Sequence, residues 1–234
     1  MKIEFTGERC IPNCCEKSLV DTHIERYKFA TQYVKGKTVL DIACGVGYGS
    51  VILGEAGAVH VDGVDISSEA VNYAKSEYNL ENVQFHEGDI TSFSSPSKYD
   101  VITCFETIEH VDDYVASLSN LYGSLKTGGC LIISSPYRVV TSPLAKSLAD
   151  KPVNKFHVRE FMPDELKASL VQCGFLVNEA DIFGQRLQVH LDNAVLYKIY
   201  HYLFEPAQRS SPVVSRLTSK WLLPRIFVLI AIKL

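Results

Sequence analysis

"VLDIACGVGYGS", Val39–Ser50, joins an apolar run of strand-forming residues to a helix start, with a carboxylate at Asp41 and glycines at Gly45, Gly47 and Gly49. A strand, a glycine turn and a helix together let backbone approach a ligand, because glycine accepts positive φ and the new helix offers unpaired N–H groups. Three ligand classes use that arrangement, and spacing separates them. A phosphate-binding P-loop needs glycine, four residues, then Gly-Lys and Ser or Thr, and no such run exists in the chain. A dinucleotide turn needs G-x-G-x-x-G, and here the third glycine is misplaced. Asp41 inside the strand end would also face a pyrophosphate with a like charge.

Outward from this stretch, strand and helix signals alternate. Ile24, Tyr27, Ala30 and Val34 recur at helical spacing until Gly36 stops the run. "KTVLDIA" reads as the first strand, "GAVHVDGVDIS" as the second, "NVQFHEGDI" as the third, "KYDVITCFE" as the fourth and "GGCLIISSP" as the fifth. Ser67 caps the helix after the second strand, and Asp112 or Asp113 caps one with an apolar face of Val115, Leu118, Tyr122 and Leu125. Pro163 sits in the first turn of a helix that Gly174 ends, and "FLVNEADIF" and "RIFVLIAIKL" supply two last strands. This alternation predicts an α/β fold, a doubly wound, mostly parallel sheet covered on both faces. The 234 residues suit one domain with a modest cap. The reading gives a helical cap over residues 1–36 and a main domain over 37–234, interrupted by an insertion at about 184–224.

A doubly wound sheet binds its ligand at the carboxyl ends of the strands, and there the chain places acids at Asp41, Asp65 and Asp89. These suit S-adenosylmethionine, whose amino end and sulfonium welcome an acid near the glycine turn. Asp65 would accept from the ribose hydroxyls and Asp89 from the adenine amino group, with Ile66 and Ile90 walling the ring.

The ordered segments "VLDIACGVGYG", "GVDIS", "GDI", "YDVITCFETIEHV" and "LKTGGCLIISSP" resemble the class I S-adenosylmethionine-dependent methyltransferases, from about Lys37 to Phe183. The resemblance implies a Rossmann-like seven-stranded sheet of order 3-2-1-4-5-7-6 with the last strand antiparallel. It implies cofactor contacts at Ala43, Gly45, Gly47 and Phe105. Ala43 stands where many members carry glycine, and its small methyl should tighten the turn rather than abolish binding. "FTGERCIP", "HIERYKFA" and "HVREFMPDEL" are similar to methyltransferases of surface-polysaccharide and sugar biosynthesis, and "FETIEHV" to ubiquinone-pathway O-methyltransferases.

Methyl transfer is an in-line displacement, so the protein mainly aligns the acceptor and excludes water. A hydroxyl acceptor also needs a base. His110, after the fourth strand, is the candidate base, and Glu106 a contact to cofactor or acceptor. Glu106, Glu109 and His110 together carry the ligand types of a divalent-metal site, which some quinone-pathway relatives use. Arg9, Arg26 and Tyr27 are candidate partners for the cofactor carboxylate. Tyr137, His157 and Arg159 are candidate acceptor contacts.

A net charge of −4 argues against nucleic acid as the main partner. Seven scattered cysteines suit a reducing compartment, and Cys10, Cys14 and Cys15 lack a second ligand pair for zinc. "MKIEFTGERC" lacks a signal-peptide pattern, and "IFVLIAIKL" is far below the ~20 apolar residues of a membrane span. The expected setting is cytoplasmic. In "SPVVSRLTSKWLLP", Val213, Leu217 and Trp221 share a face beside Arg216 and Lys220. That stripe packs on the domain, forms a homodimer contact, or meets an anionic membrane surface. The expected function is methylation of a small acceptor: a sugar, a nucleotide sugar or a glycolipid intermediate. The alternatives are O-methylation of a phenolic quinone precursor and a non-catalytic cofactor-binding subunit.

Overall fold

The computed structural model describes residues 9–12, 14–178, 182–189 and 222–234. Strand β1 (Thr38–Ile42) pairs in parallel with β2 (His60–Asp65) on one side and β4 (Tyr99–Phe105) on the other. Side chains alternate across a strand, so Val39 joins one core and Leu40 the opposite one. Both faces are therefore buried, as the continuous apolar pattern requires. Helices α1 (Lys17–Val34), α2 (Tyr48–Glu55) and α3 (Ser68–Glu77) stand on the Val39 side. Helices α4 (Tyr114–Ser124) and α6 (Pro163–Gln172) stand on the Leu40 side, and a short α5 (Arg138–Thr141) follows β5 (Leu125–Pro136).

The sheet runs β3-β2-β1-β4-β5-β8-β6, where β3 is Val83–Glu87 and β8 is Leu222–Lys233. β8 is antiparallel to β5, with Ile133 opposite Leu229. Two strands share the outer edge of β8. β6 (Phe175–Leu176) sets Phe175 opposite Lys233, and β7 (Ile182–Val189) sets Ile182 opposite Leu229. The eight strands are thus the expected order with its sixth strand broken in two.

Ser67 accepts from the Ala70 N–H at the start of α3, and of the two candidate caps of α4 it is Asp113 that accepts, from Ala116. The expected face of α4 is out of phase by its first member. Leu118 and Leu121 are buried with Ser117 and Ser124, whereas Val115 is exposed and Leu125 already belongs to β5. Strand pairing reaches past the expected insertion limits at both ends, to Val189 and from Leu222. The basic amphipathic stripe of Val213, Leu217 and Trp221, with Arg216 and Lys220, lies outside the described residues. Among the described residues no helix is long and apolar enough to cross a membrane.

Candidate active site

A cavity of about 580 Å³ opens at the carboxyl ends of β1, β2, β4 and β5, with α1 and the segment before it closing one side. The turn after β1 holds Ala43, Gly45 and Gly47 at φ of 58°, 57° and 88°. Only Gly45 of the three glycines faces the cavity. A Cβ there would meet nothing nearer than Arg9 Cγ at 3.8 Å, whereas one on Gly47 would lie 2.7 Å from Ala74 and Phe85, and one on Gly49 would lie 1.9 Å from the Tyr27 ring. Gly47, expected to contact cofactor, instead lets α2 approach α3 and β3. Gly49 lets the Tyr27 ring lie flush on α2.

Asp41 also turns away from the ligand. It is 1% exposed and accepts from Tyr27 Oη at 3.1 Å, Ser50 Oγ at 2.7 Å and Thr103 Oγ1 at 2.8 Å. Burial raises its pKa to about 6, against the lowering effect of the three hydroxyls. The expected grip on the cofactor amine is replaced by a tie joining α1, α2 and β4 beneath the turn. Tyr27 lines the cavity with its ring, packed edge-on against Tyr48 and Phe105, while its hydroxyl is committed to Asp41.

Asp65 does border the cavity, with Ile66 and Phe105. Its two oxygens accept from the backbone of Gly45 at 2.8 Å and Ser67 at 2.9 Å, so the acid also shapes the glycine turn. Asp89 and Ile90 are not on the cavity wall. The Asp89 carboxylate accepts from Thr91 N at 2.8 Å, and Ile90 is packed into the core. The local turn that follows β3 captures that acid.

Three acids and two histidines follow. Glu106, at φ 50°, lies on the wall and accepts from Ser134 Oγ at 2.8 Å. Glu109 is fully buried and accepts from Ser135 Oγ at 3.2 Å through Oε2; its Oε1 has no partner among the described residues. Burial, and then the neighbouring Glu106, push its pKa well above the carboxylate range. His110 Nδ1 lies 3.0 Å from the Phe156 carbonyl. A carbonyl only accepts, so that nitrogen carries the proton and a neutral His110 has its lone pair on Nε2. His157 Nδ1 meets Glu160 Oε1 at 2.7 Å, and its Nε2 meets Asn154 Nδ2 at 2.8 Å. Asn154 Oδ1 already accepts from Phe156 N, which leaves the amide N–H groups for His157. These bonds are met by a proton on Nδ1 and fasten the covering loop, while the ring lines the cavity.

Tyr137 and Arg159, also expected as acceptor contacts, are not on the cavity wall. Tyr137 donates its N–H to the Arg225 carbonyl and packs edge-on to Phe227. Arg159 donates to the carbonyls of Val111 at 2.6 Å and Asp112 at 3.0 Å and stacks on Tyr114. It holds the loop carrying His110 in place. The metal-type grouping also differs from the expected trio: Glu109, His110 and His157 have ligand atoms within 4.8 Å of one another, and Glu106 is not among them.

A family described as methyltransferase domain matches residues 34–201. A probable S-adenosylmethionine-dependent methyltransferase of Mycolicibacterium smegmatis is 31% identical over 76% of this chain and 67% of its own length. The chain belongs to the class I S-adenosylmethionine-dependent methyltransferases. A ubiquinone biosynthesis O-methyltransferase of Paraburkholderia phytofirmans is 34% identical over 74% of this chain and 79% of its own length. The solved S-adenosylmethionine-dependent methyltransferase of Archaeoglobus fulgidus shares the fold, with a TM-score of 0.63 at 21% identity over 93% of this chain and 95% of that one.

The methyltransferase's cavity fits this cofactor on its own chemistry. Arg26, next in sequence to the wall residue Tyr27 but not itself on the wall, is 2% exposed; Nη1 donates to Gln185, while Nε and Nη2 have no partner among the described residues. A buried guanidinium with unmade bonds matches a carboxylate. Arg9 lies over Gly45 on the cavity wall. Sequence spacing also missed Ser134 and Ser135, which hold Glu106 and Glu109, and Glu160, which holds His157 and Thr141. The doublet "SS" at the end of an apolar strand and the acid in "HVREF" were the available signals.

Proposed function

We propose that this methyltransferase alkylates a hydroxyl of a sugar, nucleotide sugar or glycolipid intermediate, with His110 as the general base. S-adenosylmethionine supplies an electrophilic methyl group on a sulfonium. Asp65 would take its ribose, Ile66 and Phe105 its adenine, and Arg26 with Arg9 its carboxylate. The observation that supports the base assignment is the His110–Phe156 bond, which commits Nδ1–H to a carbonyl and puts the lone pair of a neutral ring on Nε2. The loop carrying Asn154, Phe156 and His157 covers the acceptor end and keeps water out. Thr141 and Asn154 give that end a polar wall suited to a polyhydroxy acceptor.

Radiolabelled methyl transfer onto a panel of sugars, nucleotide sugars and glycolipids tests the reading. His110→Ala should lower turnover about 100-fold or more, as loss of a general base does, with S-adenosylhomocysteine affinity retained. Normal turnover refutes the assignment. A second reading, O-methylation of a phenolic quinone precursor, is favoured by the grouping of Glu109, His110 and His157. A divalent ion there would require His157 to give up Asn154. Transfer onto phenolic lipids that a chelator abolishes would select that reading.

A further inference from the structure

We propose that Arg225 is the specificity residue that anchors a phosphate group of the acceptor; this rests on the glycosyl-acceptor reading and narrows it to phosphorylated acceptors. Arg225 is exposed on the acceptor side of the cavity wall, next to Ile226 and Pro136. Its backbone is fixed, because its carbonyl accepts from Tyr137 N at 2.9 Å where β8 enters the sheet. Its guanidinium has no carboxylate partner among the described residues.

The acids of that wall have other partners, although Glu109 Oε1 has none among the described residues. Glu160 accepts from Thr141 and His157, Glu109 from Ser135 and Glu106 from Ser134. A second observation points the same way. The covering segment 142–158 carries Lys146, Lys151 and Lys155 against one acid, Asp150. Asp150 Oδ2 is occupied by the backbone of Lys146 and Ser147 and by the Ser147 hydroxyl. None of the three lysines is on the cavity wall itself; their segment supplies Val153, Asn154, Phe156 and His157 to it. Cations around a cleft steer an anion inward, and an arginine fork then pairs with phosphate oxygens in two parallel bonds. Such a phosphate could belong to a nucleotide-linked sugar or to a lipid-linked one.

Calorimetry on the full chain saturated with S-adenosylhomocysteine tests this with inorganic pyrophosphate, then with UDP and farnesyl pyrophosphate. Pyrophosphate should bind in preference to sulfate and weaken with added salt. Arg225→Gln should lower its affinity about tenfold, Arg225→Lys by less, because lysine keeps the charge without the fork. Neither should change affinity for S-adenosylhomocysteine, and Lys75→Gln on α3 should match the wild type. Stronger binding of UDP assigns the phosphate to a nucleotide, and stronger binding of farnesyl pyrophosphate to a lipid carrier; both support the anchor. Equal binding of sulfate and pyrophosphate, or an unchanged affinity in Arg225→Gln, overturns it. Methyl transfer confined to phenolic lipids would instead remove the glycosyl reading, whatever the pyrophosphate result.

Discussion

Replacing Asp41 by asparagine separates two accounts of the acid at the glycine turn. Folded Asp41 keeps its proton up to about pH 6, against an ordinary value of 3.8. Between those values the folded state binds more protons than the unfolded state, so stability falls as pH rises. The contribution is fully present below pH ~4 and gone above pH ~6, and at about 1.4 kcal/mol per pKa unit it amounts to about 3 kcal/mol. Other groups run the opposite way: Asp62 sits within four donors, Lys98, His60, Tyr99 and His86, and its pKa is lowered to about 2. Comparing the variant with the wild type at each pH cancels them. The substituted side-chain amide cannot ionise; its carbonyl can replace Oδ1, which accepts from Tyr27 and Thr103, and its N–H groups then donate to Ser50 Oγ. In urea melts at several pH values, the stability of Asp41→Asn minus that of the wild type should rise by about 3 kcal/mol between pH 4 and 7.5. Because Asp41 faces away from the cavity, affinity for S-adenosylhomocysteine should stay near that of the wild type. A stability difference that is flat with pH refutes the burial argument. A large loss of affinity without loss of folding would return Asp41 to the cofactor amine.

Arg26→Gln should weaken S-adenosylhomocysteine binding by about tenfold or more, since a charged bond to the carboxylate is lost. Methylthioadenosine, which lacks that carboxylate, should bind the variant and the wild type alike, and calorimetry with both ligands decides it. Asp65→Ala removes the acid that braces Gly45 and Ser67, so both cofactor affinity and melting temperature should fall; unchanged affinity would be contrary to its placement. Ala43→Gly should raise stability by about 0.5–1 kcal/mol. A left-handed alanine costs about 1–2 kcal/mol, and the extra freedom of unfolded glycine offsets part of the gain. A lower melting temperature would show that the Ala43 methyl packs usefully.

The amino-acid sequence determined whatever depends on local periodicity. Alternating apolar strands and helices, Ser67 as a cap, Pro163 at a helix start and an acid at the tip of β2 are properties of short stretches, and each appears where spacing placed it. Tertiary structure decided the partners. Asp41 looks like a ligand acid along the chain, but residues 14, 9 and 62 positions away bring it the hydroxyls that absorb its charge. Arg26 reads as a candidate partner for a carboxylate, and only folding buries it with two of its nitrogens unpaired among the described residues. Arg159 reads as an acceptor contact, and the carbonyls of Val111 and Asp112, nearly fifty positions away, claim it. Backbone conformation answers to neighbours within a turn, whereas the pairing of a polar side chain answers to whatever the sheet's crossovers bring within about 3 Å.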